Sequence, residues 1–167
     1  DYYGQQGWLE NPEGFFTATP TLTDVTLTPE TIRRQSLHRL TFDSGYQPHP
    51  DDPGRDRWLA YTANRREHAL LLRHREPRPW VVCVHGALMG RGSVDLRLFR
   101  ARRLHEDLGL NVVLPVLPLH GPRKTKGAAF PGQDLLDDLR AAAQAVWDIR
   151  RLISWIRAQE PDARIGL

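Results

Sequence analysis

Cysteine is nearly absent from this chain of 167 residues. The single cysteine, Cys83, has no partner for an internal disulfide, and nothing in the sequence indicates an oxidising compartment. No apolar run approaches the roughly 18 residues that a membrane-spanning helix needs. We therefore expect a cytoplasmic protein without a membrane span.

Lysine is also scarce, since only Lys124 and Lys126 are lysines among the 23 basic residues. The arginines are spread along the chain, and the formal net charge is only +3. No basic stripe with interleaved aromatic residues is visible, as a nucleic-acid surface would require. We therefore expect no nucleic-acid partner, and the sequence carries no signal of oligomeric state.

Metal and nucleotide signatures are missing as well. The acidic pairs Asp51–Asp52 and Asp137–Asp138 have no histidine or third carboxylate at ligand spacing. The glycine-bearing loop from Gly86 to Gly92 lacks both G-x-G-x-x-G and a following Lys-Ser/Thr. We therefore predict no metal and no cofactor, and the loop sequence disfavours a nucleotide-binding domain.

The most informative stretch runs from Pro79 to Gly92. Val81–Val84 is apolar throughout and rich in β-branched residues, which suits a strand buried on both faces of a parallel sheet. It ends at His85 and Gly86, and two further glycines then allow tight turns. A strand, a glycine-bearing loop and a helix place backbone N–H groups at the carboxyl edge of a sheet.

The rest of the chain predicts an α/β fold: a mixed, mostly parallel sheet with helices on both faces. Residues 1–35 form an irregular N-terminal segment in which Thr28 and Pro29 could open a helix, and residues 36–167 form one domain. The predicted strands are Ser36–Phe42, Trp58–Thr62, Ala69–Arg73, Val81–Val84, Asn111–Val116 and one at Ile165. We expect the last three to be parallel and adjacent.

Two helices and one mobile loop complete the prediction. The first helix covers residues 94–108 with Gly109 as its C′ residue, and the second covers about Asp134 to Ala158. Residues 123–132 are polar and basic and are expected to form a poorly ordered loop at the carboxyl edge. The apolar face of the second helix would consist of Leu135, Leu139, Ala142, Val146, Ile149, Ile153 and Ile156.

Three motifs in this order resemble the N-terminal half of an α/β-hydrolase. The strand ending in His85-Gly86 is similar to the family's third strand and oxyanion loop. The strand leading into Leu119-His120-Gly121-Pro122 resembles its fourth strand, and Arg164-Ile165-Gly166-Leu167 resembles its fifth. A more particular resemblance is to the abhydrolase-domain 18 group. The chain begins at Asp1 without a methionine and stops in an apolar run, so we expect a piece of a longer protein.

The resemblance implies catalytic roles for one loop. Residues His85, Gly86, Ala87 and Leu88 would form the oxyanion loop, with the N–H of Ala87 as the donor and Leu88 as the neighbour to consider. Gly86 would permit the turn, and His85 would orient the loop. No G-x-S-x-G is present, so the nucleophile, the acid and the base would all lie beyond Leu167.

Two functions remain open on these residues. One is a fragment of a serine hydrolase of the esterase, lipase or thioesterase type, acting on a small-molecule ester or acyl substrate and inactive as a segment alone. The other is a non-catalytic α/β-hydrolase-fold protein used for binding or interaction. A serine elbow after Leu167 would favour the first.

Overall fold

Six strands form a single sheet in the computed structural model, which describes residues 2–167. In chain order they are β1 (Thr26–Ile32), β2 (Gln35–Asp43), β3 (Arg66–Leu72), β4 (Trp80–Val82), β5 (Asn111–Pro115) and β6 (Ile165–Gly166). They lie side by side in the order β1-β2-β3-β5-β4-β6. The pairings between β1, β2, β3 and β5 are antiparallel, whereas β4 pairs in parallel with β5 and β6. β2, β4, β5 and β6 therefore run in one direction, which confirms the mixed, mostly parallel sheet.

The three apolar strands are parallel and adjacent, as predicted. Val81 of β4 pairs with Val112 of β5, and Trp80 pairs with Ile165 of β6. Every residue of β5 is buried. This burial explains the continuous apolar composition, because helices cover both faces of the parallel part of the sheet.

Helices lie on both faces, which confirms the predicted layering. They are α1 (Tyr2–Gln5), α2 (Arg55–Ala60), α3 (Gly92–Leu98) and α4 (Leu135–Gln159). On one face, Leu96 of α3 shares a core with Leu70 and Val112. On the other face, Leu152 and Ile156 of α4 share a separate core with other residues of the sheet.

The long helix begins where the sequence predicts. The side chain of Asp134 accepts hydrogen bonds from the backbone N–H groups of Leu136 and Asp137, as an N-cap residue does. Its predicted apolar face is wrong in the first half, where Leu135 is 72% exposed. Polar side chains are buried there instead, and they pair with groups from distant parts of the chain.

Two predictions for residues 28–62 are wrong. The predicted strand at Trp58–Thr62 is helical, and Trp58 is buried with its indole N–H donating to Gln144. The predicted helix start at Thr28 lies inside β1, which is paired with β2. β1 is an edge strand, and an edge position tolerates Pro29 because it can leave one side without a donor. The sheet thus starts within the segment predicted to be irregular.

The helix predicted over residues 94–108 is interrupted. α3 ends at Leu98, Arg100 has a left-handed backbone with φ +51°, and a turn of π-helix follows over Arg103–Asp107. Gly109 has φ +66°, and the N–H of Leu110 bonds back to the carbonyl of Leu104. The predicted glycine stop is therefore confirmed.

Candidate active site

Two loops meet at the carboxyl edge of the parallel strands. The first, residues 83–91, follows β4 and is called the β4 loop. The second, residues 116–134, follows β5 and is called the β5 loop. Because β4 and β5 are neighbours and run in parallel, the loops must leave the sheet side by side.

The two loops touch through a pair of glycines. Gly121 has φ +47°, and a Cβ placed there would overlap the carbonyl oxygen of Gly90. A Cβ on Gly90, whose φ is +84°, would come within 2.7 Å of the Cβ of His120. Neither position has space for a side chain, so glycine at both allows the backbones to pack against each other.

His85 connects the loops by hydrogen bonds. Its Nε2 accepts the backbone N–H of Leu117 at 3.0 Å, and its Nδ1 lies 2.9 Å from the carbonyl oxygen of Gly86. Since Nε2 accepts, the ring proton of the neutral imidazole is on Nδ1 and is donated to Gly86. The ring is only 4% exposed, and burial lowers the pKa of His85, which favours this neutral form. Both nitrogens are engaged in holding backbone.

The backbone donors expected from the resemblance follow His85 in the same loop. Among residues 2–167, the N–H groups of Ala87 and Leu88 have no hydrogen-bond partner, and both residues are exposed. Leu88 has φ +65°, a conformation that non-glycine residues adopt uncommonly. Two successive N–H groups without a partner at the end of a buried strand are able to bind a negatively charged oxygen.

Asp95 of α3 is hydrogen-bonded to the β4 loop. Its Oδ1 accepts the backbone N–H of Gly90 at 3.2 Å, and the residue is 4% exposed. Burial raises the pKa of its carboxyl, an effect opposed by the nearby His85, the Gly90 N–H, Arg91 and His120. The sequence alone did not identify this residue, since an aspartate five residues after a loop glycine is the only local signal.

His120 of the β5 loop lies against His85. Its Nδ1 lies 3.0 Å from the carbonyl oxygen of Pro118, and its ring contacts that of His85 with centroids 4.8 Å apart. The residue is 4% exposed. Its second nitrogen, Nε2, has no hydrogen-bond partner among the described residues.

A cavity of about 540 Å³ opens between the two loops. The β4 loop contributes Ala87, Leu88 and Met89. Of the four residues predicted for the oxyanion loop, Ala87 and Leu88 thus line this cavity, whereas His85 and Gly86 do not. The remaining lining residues come from both loops and include two cations: Arg91, Leu119, His120, Lys124, Thr125, Ala128, Ala129, Phe130 and Pro131. The volume is within the range of small-molecule sites.

The start of the predicted mobile loop, residues 123–132, differs from the prediction. Arg123, expected in a mobile loop, is fully buried and forms ion pairs with Glu67 and Asp148. Its guanidinium also donates to the carbonyls of Val116 and Asn64, at 2.8 and 2.9 Å. The basic charge that suggested a solvated loop is instead neutralised inside the protein. Among residues 123–132, those that line the cavity are Lys124, Thr125, Ala128, Ala129, Phe130 and Pro131.

A buried polar cluster surrounds Arg123 and supports the β5 loop. Glu67 accepts the N–H of Val116, and Asn64 accepts the N–H of Leu119. Burial raises the pKa of Glu67 and of Asp148, and Arg123 opposes the rise in both. The other members are Ser44, which directly follows β2, and Gln144 of α4. Ser44 donates to Asp148, and Gln144 donates to Ser44 and to the carbonyl of Asn64.

Two of the four serines have structural partners. Ser44 lies in this polar cluster, 2.6 Å from Asp148. Ser154 accepts the N–H of Leu22 and donates to the carbonyl of Arg151. Neither serine has a histidine partner, so neither forms the nucleophile–base pair of a catalytic triad.

Within residues 2–167, no three His, Cys, Asp or Glu side chains are grouped so as to hold a metal ion. In the same part of the chain, no helix combines the length and the apolar character needed to cross a membrane.

Two Mycobacterium tuberculosis proteins are similar to this chain, and no family model matches it. They are the uncharacterized protein MT2702 of strain CDC 1551 / Oshkosh and the uncharacterized protein Rv2627c of strain ATCC 25618 / H37Rv. Each is 61% identical over 170 residues, which include all of this chain but only 41% of the relative. The chain thus spans about two fifths of the length of the curated relatives it matches.

A solved structure also aligns with most of this chain. The crystal structure of acetyl xylan esterase 1 from Thermoanaerobacterium sp. JW/SL YS485 aligns with 95% of this chain and 54% of its own. The TM-score is 0.45 and the sequence identity is 15%.

Proposed function

We propose that this chain is the N-terminal part of a serine hydrolase of the esterase, lipase or thioesterase type. In this proposal His85–Leu88 form the oxyanion loop, and the nucleophile, acid and base lie beyond Leu167. The observation that carries it is the pair of N–H groups, at Ala87 and Leu88, that lack partners beside a cavity at the carboxyl edge of parallel strands.

The chemistry follows from the geometry of this loop. Attack on an ester or thioester carbonyl creates a negatively charged oxygen, and fixed N–H donors stabilise it by about 3–4 kcal/mol each. His85 and Asp95 hold the loop from two sides, through Gly86 and Gly90. These two contacts support the proposal that the donors are oriented before substrate binds, as this kind of stabilisation requires.

The test uses the longer natural protein that contains this chain. We expect a fluorophosphonate probe to label a serine beyond Leu167, and a short p-nitrophenyl ester to be hydrolysed. Ala87→Pro, which removes the N–H, should lower kcat by about 10²–10³, while Ala87→Gly, which keeps it, should retain most activity. Equal rates for the two variants would contradict the role of the Ala87 N–H.

The alternative is a binding or interaction protein with the same fold and no chemistry. Its supporting observation is that, within residues 2–167, no serine lies in the β4 loop or the β5 loop or lines the cavity. A folded full-length protein that binds ligands in the cavity, yet takes no probe and hydrolyses no ester, would favour this alternative.

A further inference from the structure

Two cations line the cavity between the loops, and no carboxylate lines it. Arg91 ends the β4 loop, and Lys124 lies in the β5 loop just after the buried Arg123. Within residues 2–167, neither side chain forms a hydrogen bond or an ion pair. Each of the two loops thus supplies one cation to the lining of the cavity.

Arg91 and Lys124 differ in this respect from the arginines that neutralise carboxylates elsewhere in the structure. Several other arginines have carboxylate partners, including Arg39, Arg57, Arg73, Arg123 and Arg140. Asp95 interacts electrostatically with Arg91, but it is 4% exposed, does not line the cavity, and accepts the N–H of Gly90. The lining of the cavity therefore has two cations and no carboxylate.

The remaining lining is mainly apolar. Ala87, Leu88 and Met89 line one side, and Ala128 and Phe130 line the other. Apolar walls suit an acyl chain, whereas cations in a cleft with low-dielectric walls attract an anion. The two features together describe a ligand with a short apolar part and a negatively charged group.

We propose that the cavity selects substrates that carry a negative charge, a carboxylate or a phosphate, held by Arg91 and Lys124. The substrate class would be an ester or thioester whose acyl or alcohol part ends in such an anion. As a statement about substrates this rests on the proposed function. The preference for an anion is a property of binding alone and does not depend on turnover.

The test compares binding of matched probes to the longer natural protein by calorimetry. Pentanoate and pentanamide have the same length and differ in charge, and butyl phosphate provides a second anion. We expect both anions, or one of them, to bind more tightly than the amide. The comparison between pentanoate and butyl phosphate then identifies the preferred group.

A matched pair of double variants locates the effect. Arg91→Gln with Lys124→Gln should weaken binding of the anion by at least about tenfold, since two charge-assisted contacts are lost, and leave binding of the amide unchanged. Arg97→Gln with Lys126→Gln removes the same charge from exposed positions that do not line the cavity and should retain the preference. Binding of pentanoate and of butyl phosphate no tighter than that of pentanamide, or equal losses in the two double variants, would overturn the proposal.

A parallel turnover assay separates the two proposals. The longer protein should hydrolyse p-nitrophenyl hydrogen glutarate with a higher kcat/KM than neutral p-nitrophenyl valerate. An anion preference in calorimetry without any labelled serine would refute the hydrolase and support the anion site. A labelled serine without an anion preference would support the hydrolase and refute the anion site.

Discussion

Two leucines with left-handed backbone mark the two loops of the candidate site. Leu88 has φ +65° and lies in the β4 loop, and Leu119 has φ +62° and lies in the β5 loop. Such a conformation costs a non-glycine residue of the order of 1–2 kcal/mol. It persists only where the surroundings hold it, and it occurs often at functional sites. In this protein His85, Asn64 and Asp95 supply the hydrogen bonds that hold the loops.

Gly121 provides a test of the contact between the loops. Gly121→Ala should destabilise the protein by about 2–4 kcal/mol, because a left-handed alanine is strained and its Cβ overlaps Gly90. Gly127→Ala is the matched control, since Gly127 has φ +81° but no heavy atom within 4 Å of the position that a Cβ would take. It should cost only the strain, about 1 kcal/mol. Urea unfolding measures both, and equal losses would show that the loops do not pack as described.

His85 provides a pH test. Burial lowers its pKa below the ordinary value of 6.5, so the unfolded chain takes up this proton first as pH falls. The contribution of His85 to stability is present above pH 6.5 and is lost as pH falls through the lowered pKa. The free energy of unfolding should therefore decrease from pH 7 to pH 5 more steeply in the natural sequence than in His85→Asn. Parallel pH profiles for the two proteins would contradict the neutral, accepting imidazole.

At the scale of elements, α4 has two kinds of buried face. Its second half packs apolar side chains such as Leu152 and Ile156 onto the sheet. Residues 135–148 of this helix bury Asp137, Arg140, Gln144 and Asp148, which recur at three- and four-residue steps just as apolar residues do. This polar stripe anchors the segment between β2 and β3 through Asp52 and Trp58. It also anchors the β5 loop through Arg123. The helix therefore positions the site as well as covering the sheet.

Arg123 provides a test of that anchoring. Arg123→Met should destabilise the protein by about 3–5 kcal/mol, because Glu67 and Asp148 would lose their buried counter-charge. Arg39→Met removes one arginine from the partly exposed pair with Glu30 and should cost less than about 1 kcal/mol. Chemical denaturation of both variants makes the comparison. A small loss for Arg123→Met would mean that the cluster does not support the fold.

At the scale of the whole molecule, the sheet separates two apolar cores. One core lies under α4 and the other under α3. The site lies at the carboxyl edge, where the loops after β4 and β5 meet. At the end of the sheet, β6 pairs only with β4 among residues 2–167, so its outer edge has backbone groups without a strand partner.

The exposed edge predicts self-association of residues 1–167 expressed alone, because an unpaired strand can pair with another chain. Light scattering after size-exclusion chromatography should show a mass that rises with concentration. Leu167→Lys places a charge beside β6, at a residue 76% exposed, and should reduce the association. Leu9→Lys, at a residue 68% exposed and remote in sequence, should not. A monomer at all concentrations would contradict the prediction.

The sequence by itself determined the elements whose signals are local. The apolar composition of β4 and β5 predicted their burial, Asp134 predicted the start of α4, and Gly109 predicted a helix stop. The resemblance directed attention to His85–Leu88, and the tertiary structure adds that this loop lines a cavity. These signals act within a few residues, so a pattern along the chain is sufficient to reveal them.

The tertiary structure decided which polar groups are buried. Arg123 pairs with Glu67 and Asp148, which lie 56 and 25 residues away, and Trp58 bonds to Gln144 over 86 residues. An isolated arginine in a basic segment is solvated, and only a counter-charge brought from another element makes its burial favourable. No periodic pattern of residues along the sequence indicates such a pairing. For the same reason Asp95, the two cavity cations and the packing of Gly90 against Gly121 became visible only once the loops were folded together.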